Sequence, residues 1–280
     1  MIRRTPIVLM FAALLLLPVY SGCAAKDKFS GQRSDLILAT TTSVLDSGLL
    51  DELIPRFEKD FPYRVKSVAV GSGAALLMAR QGEADVALTH EPVAEKEFME
   101  GGYGENIAEV MYNDFILVGP PEDPAGAKGM TSAAEAFSRI AQQQQPFVSR
   151  GDASGTNSME LGVWSRAGIT PAGTWYSESG QGMGYTLRIA EENRAYTLTD
   201  RATFIVLQSA LGLEVMVEGD ATLTNRYSVT VVNPQKFPQV NVEGARDFAS
   251  FLMQSDTQSF IGSFGWDRYH QRLFYPTLAP

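Results

Sequence analysis

Short apolar runs alternate with stretches of helical period along most of the chain. Leu36-Ile37-Leu38-Ala39 is a continuous apolar run of the kind buried on both faces in a parallel sheet. It ends in four hydroxyls in succession, Thr40-Thr41-Thr42-Ser43. Leu49, Leu50, Leu53, Ile54 and Phe57 then fall on one helical face, with Asp46 or Ser47 placed to cap it. The plan repeats: residues 64–70 predict a strand, Gly71-Ser72-Gly73 a tight turn, residues 74–80 a helix and residues 84–89 a third strand. Residues 111–119 and 227–233 predict two further strands, each stopped by proline, with a βα block between them. Two such crossings predict two lobes. Residues 242–262 predict a closing helix that returns to the first lobe.

One stretch inside the inserted block carries chemistry. Phe147-Val148 ends a short strand, residues 149–155 form a turn rich in hydroxyls and glycine, and Met159, Val163 and Trp164 mark a helix from about Thr156. The first turn of a helix leaves N–H groups unpaired and carries partial positive charge. A glycine-containing turn feeding such a helix suits an oxyanion, and Arg150 adds a guanidinium that stays protonated. The plain alternative is a capped turn in which Arg150 pairs with Asp152. Residues 195–201 predict another strand ending in hydroxyls before a helix over 202–209, with Asp200 as its N-cap. Residues 175–184 predict a loop opening a helix over 186–193. Gly71-x-Gly73 and Gly180-x-Gly182-x-Gly184 lack the spacing of a dinucleotide turn. Hydroxyls at the C-terminal ends of strands lie where open α/β sheets bind ligands.

Residues 1–25 have the features of a lipoprotein-type signal peptide: Arg3 and Arg4, an apolar segment over 7–20, then Gly22-Cys23. Cys23 is the expected lipid attachment, with cleavage after Ala25 as the alternative. Either implies export, with membrane contact only through a lipid anchor. Residues 26–34 are polar and predict a tether. Cys23 is the sole cysteine of 280 residues, so the fold has neither disulfide nor thiolate metal site. The formal charge of −9 argues against nucleic acid as partner. His90 and His270, the two histidines, fit packing or surface roles better than those of ligand or base.

Assembled, the motifs resemble the tungstate-binding proteins of ABC importers. They are Thr40-Thr41-Thr42-Ser43, Val70-Gly71-Ser72-Gly73, residues 82–92, Met111-Tyr112-Asn113-Asp114-Phe115, residues 148–156, Trp175-Tyr176, residues 180–184 and residues 195–201. The resemblance implies an α/β, two-lobed type II periplasmic-binding fold. Each lobe would be a mainly parallel sheet flanked by helices, joined by two crossover hinge strands. The expected division is 35–117 with 230–280 for the first lobe and 118–229 for the second. Thr41, Thr42, Ser72, Arg150, Ser154 and Thr156 become expected ligand contacts, with Asp152 orienting Arg150 from behind. Ser72 stands where relatives often carry threonine, and Asn157 where histidine is common. The implied partners are tungstate or molybdate and an ABC permease; the protein is expected to be a monomer without cofactor or resident metal.

Tungstate and molybdate are unprotonated dianions at neutral pH, so a selective site offers donors only, and a carboxylate in contact would repel. Monohydrogen phosphate can donate to a carboxylate, and Asp152 therefore keeps a phosphate reading open, with sulfate behind it. An exported hydrolase is the competing class. No Gly-x-Ser-x-Gly elbow and no cluster of metal-ligand spacing support it.

Overall fold

The computed structural model describes Phe29, Gly31 and residues 33–278. The leader over 1–25, Cys23 and most of the tether over 26–34 lie outside the described residues.

The chain opens with β1 (Ser34–Thr41), α1 (Thr42–Asp46), α2 (Leu49–Asp60) and β2 (Tyr63–Val70). Next come α3 (Ser72–Arg80), β3 (Val86–Thr89), α4 (Pro92–Glu100) and the 16-residue β4 (Gly104–Gly119). The inserted block holds α5 (Ala133–Gln142), β5 (Phe147–Ser149), α6 (Gly155–Arg166), β6 (Tyr176–Glu178) and α7 (Met183–Glu192). It closes with β7 (Thr197–Asp200), α8 (Arg201–Leu207) and β8 (Glu214–Val217). β9 (Thr224–Val232), α9 (Val242–Leu252), α10 (Ser255–Ser263), α11 (Trp266–Tyr269) and β10 (Tyr275–Pro276) complete it.

The first lobe's sheet runs β10-β4-β9-β3-β1-β2. β2, β1 and β3 are parallel, whereas β9, β4 and β10 join antiparallel. In the second lobe β7 and β8 pair antiparallel with the end of β4, and β5 pairs parallel with β6. The sheets are thus mixed rather than mainly parallel. The crossing strand accounts for much of this: β4 runs against β9 in one lobe and against β7 and β8 in the other. β4 changes partner between Asp114 and Phe115, and β9 lies in the first sheet from Thr224. The divisions read from sequence at 117/118 and 229/230 lie within these two strands, a few residues after the change of partner in β4 and the start of β9.

Residues 242–262 are two helices rather than one. Gln254 is extended, and Gln258 Nε2 donates to the Leu252 carbonyl at 2.7 Å, closing the end of α9 from within α10. β6 also departs from the expected loop; its Ser177 and Glu178 are exposed, so it shows no apolar alternation.

Each lobe has its own aromatic core. Phe57 packs edge-on to Phe248 and stacks near Tyr63 in the first; Phe137, Phe147 and Trp164 pack together in the second. Burying each such ring contributes about 1.5–3 kcal/mol. α8 belongs to the inserted block, yet its Ala202 and Ile205 join the first lobe's core.

Candidate interlobe anion site

The C-terminal ends of β1, β2, β5 and β7 each feed a helix, and four contacts show where the starts of α1, α3, α6 and α7 and the residue after β3 meet. A β-carbon on Gly71, which precedes α3, would lie 3.3 Å from Ser154 Cβ, which precedes α6. One on Gly73 would lie 3.1 Å from the Ala153 carbonyl oxygen. One on Gly155 would lie 2.7 Å from the His90 carbonyl oxygen. One on Gly182, at the start of α7, would lie 3.6 Å from Thr42. First-lobe residues 42, 71, 73 and 90 therefore touch second-lobe residues 153–155 and 182 across one cleft. At its rim a β-carbon on Gly184 would lie 3.5 Å from Asp46 Oδ2 of the other lobe.

The hydroxyls lining this region are arranged as donors. Ser154 Oγ accepts the Asn157 N–H at 3.3 Å as N-cap of α6. Ser72 Oγ accepts the His90 N–H at 3.3 Å. Each serine thus has an N–H on its oxygen and a proton left to give. Thr41 Oγ1 lies 3.0 Å from Ser43 Oγ. Thr156 is buried on the first turn of α6, and its Oγ1 has no hydrogen-bond partner. α3 and α7 open with no side-chain cap, leaving first-turn N–H groups unpaired by side chains.

Arg150 is 3% exposed. Its Nη2 donates to Asp152 Oδ2, while Nε is buried without a partner. Asp152 Oδ1 also accepts the Ser154 N–H at 3.2 Å, so one carboxylate ties the guanidinium to the turn. The turn itself rests on Glu160. That buried carboxylate accepts from the Ser149 hydroxyl, from Trp164 Nε1 at 2.8 Å and from the Tyr176 hydroxyl at 2.9 Å. Burial pushes its pKa up while these donors hold it down. Ser149 Oγ in turn accepts from Asn157 Nδ2 at 3.2 Å and from the Gly151 N–H at 3.2 Å. Gly151 sits at φ 60°, and a β-carbon there would meet Glu178 at 2.6 Å, so the turn requires glycine.

On the first-lobe side His90 Nδ1 lies 2.8 Å from Asn225 Oδ1. Asn225 Nδ2 donates to Asn113 Oδ1 and to the Tyr227 hydroxyl, both at 2.9 Å. Asn225 Oδ1 is therefore the acceptor and His90 Nδ1 carries the proton. Burial lowers the His90 pKa to about 4, with Arg150's charge adding to the effect, so the ring is neutral at physiological pH.

A sequence profile of the PBP superfamily domain matches residues 27–257. The tungstate-binding protein TupA of Peptoclostridium acidaminophilum is 45% identical over 276 residues, covering 96% of each chain. The solved tungstate ABC transporter protein of Geobacter sulfurreducens is 44% identical with a TM-score of 0.76, covering 82% of this chain and 98% of that one. The tungstate-binding protein TupA of Desulfovibrio alaskensis G20 is 41% identical with a TM-score of 0.73, covering 88% and 100%. The chain belongs to the family of tungstate ABC transporter substrate-binding proteins. Its two-lobed α/β architecture is that of this family.

Within this family framework, the structure draws Thr41, Thr42, Ser72, Arg150, Ser154 and Thr156 to the facing walls of one cleft. Thr42 is the least buried of them and packs on Gly182. Sequence reasoning passed over Ser43, Asn225, Tyr227 and Glu160 as site residues. Ser43 stood in the hydroxyl run, whereas Glu160 and Asn225 carry no local signal, because most of their partners come from other elements distant in the chain. His90 is a packing residue in the sense expected, yet it lies against the cleft wall. His270 lies apart, in left-handed conformation at the end of α11.

Proposed function

We propose that this protein captures tungstate between its lobes and delivers it to the permease of an ABC importer. The observation carrying this reading is the pair of buried, unpartnered donors on one strand-turn-helix unit of the second lobe, Arg150 Nε in the turn after β5 and Thr156 Oγ1 on the first turn of α6. An oxyanion would accept from both, from the Ser72, Ser154, Thr41 and Thr42 hydroxyls, and from first-turn N–H groups of α3 and α7. Asp152 holds Arg150 in place rather than touching the anion. Tungstate as cargo follows the names of the relatives; molybdate has nearly the same charge and size and is the nearest alternative. Export and the Cys23 anchor are proposed from the leader, and a monomer is proposed as the working form. No helix of the described residues is long and apolar enough to cross a membrane.

A binding role is proposed in preference to catalysis. Ser43, His90 and Asn225 have the connectivity of nucleophile, base and orienting residue. The Ser43–His90 separation is 3.4 Å, however, and a ring with a pKa of about 4 is a poor base at neutral pH.

Titration calorimetry with tungstate, molybdate, sulfate and phosphate tests the reading. Tight tungstate binding with far weaker sulfate and phosphate is expected. Phosphate binding with no heat from tungstate would overturn it.

A further inference from the structure

β7 ends at Asp200, whose carboxylate is wholly buried. Oδ1 accepts the Thr203 N–H at 2.9 Å, which makes Asp200 the N-cap of α8. Oδ2 has no hydrogen-bond partner, and neither has the Thr203 hydroxyl. That hydroxyl lies near enough to favour the ionised carboxylate, but outside bonding geometry. N-capping therefore uses one oxygen and leaves the other unexplained.

Charged and titratable groups reach Asp200 from several elements. Arg150 attracts it from the turn after β5, and Asp46 repels it from the end of α1. Tyr227 on β9 feels the carboxylate, which helps to hold the phenol proton. Behind Tyr227 lies the neutral His90 ring, with centroids 4.8 Å apart. The positive charge acting on Asp200 is that of Arg150, and this guanidinium is already paired with Asp152. Burial holds the Asp200 pKa above its usual range. A dianion on Arg150 would add two negative charges to the same neighbourhood and push in the same direction.

We propose that Asp200 carries a proton on Oδ2 when the cleft holds an unprotonated oxyanion and donates it as a hydrogen bond to that anion. Asp200 is then a specificity-determining residue: it is ionised in the empty cleft, where the Arg150 charge favours that form, and capture is linked to uptake of one proton from solvent. A monohydrogen anion brings its own proton, which the ionised carboxylate accepts, so it is captured without uptake. This inference rests on the reading of the cleft as the oxyanion site.

The test is calorimetry with tungstate from about pH 6 to 9 in two buffers of different ionisation enthalpy, on the purified protein and on Asp200→Asn. Asparagine keeps the capping oxygen and supplies a permanent N–H donor. Wild type is expected to lose affinity by about tenfold per pH unit above the Asp200 pKa, with close to one proton taken up. Asp200→Asn is expected to bind with no such slope. Wild-type binding without a slope and without proton uptake would overturn the inference while leaving tungstate capture intact. An Asp200→Asn slope equal to that of wild type would do the same. No tungstate binding at any pH would overturn the cleft reading itself, and this inference with it.

Discussion

Gly71 and Ser154 meet across the cleft, and a β-carbon on the glycine would stand 3.3 Å from that of the serine. Two residues on, Gly73 has the Ala153 carbonyl 3.1 Å from its missing β-carbon. The absence of side chains at these two positions lets the lobes come together.

Gly73→Ala separates closure from folding. Gly73 lies in the first turn of α3, where alanine is favoured by up to about 1 kcal/mol over glycine. The ligand-free melting temperature is expected to hold or rise slightly. Tungstate affinity is expected to fall by about tenfold, because the added methyl presses on the opposing backbone only when the lobes close. Calorimetry and thermal melts on the same sample check both halves.

Arg150→Ala removes the one full positive charge of the turn. Charge-assisted hydrogen bonds contribute about 1.5–3 kcal/mol each, so affinity should drop by at least about tenfold. Unchanged affinity would remove Arg150 from the ligand set.

Asp152→Asn retains an oxygen for the Ser154 N–H and removes a charge. Tungstate binding is expected to survive within about tenfold of wild type, since the residue acts on Arg150 and not on the anion. Loss of binding with circular dichroism unchanged would show that its charge is needed at the anion-binding turn.

Glu160→Ala strips three donors, on Ser149, Trp164 and Tyr176, of their shared acceptor. A cost of about 3 kcal/mol or more in urea unfolding is expected, with Trp164 fluorescence as the probe. Glu160→Gln should cost less, because an amide oxygen still accepts.

His90 gives stability a pH dependence of known sign. Its pKa falls from 6.5 to about 4 on folding, so the unfolded chain binds the proton that the folded one refuses. Its contribution is complete above about pH 6.5, is lost as pH falls toward 4, and totals roughly 3 kcal/mol. Urea midpoints between about pH 7 and 4 should fall more steeply for wild type than for His90→Gln. The raised pKa values of Glu160 and Asp200 act oppositely, so the difference between the two proteins is the quantity to read.

Sequence by itself determined the local units. Apolar runs such as Leu36–Ala39 and helical spacings such as Leu49, Leu50, Leu53 and Phe57 are properties of neighbouring residues, and they form the strand and helix expected. The hydroxyl and glycine turns were legible for the same reason: strand end, turn and helix start are contiguous in the chain. Even Asp200 as an N-cap was readable, because capping spans three residues. Tertiary structure alone decided which turns face one another. The approaches of Gly71 to Ser154 and of His90 to Gly155 join residues from different lobes, and no local pattern encodes such a meeting. It also decided which polar atoms are left without partners. Arg150 Nε, Thr156 Oγ1 and Asp200 Oδ2 become candidates for ligand contact only once burial removes water and packing has assigned every neighbouring donor and acceptor.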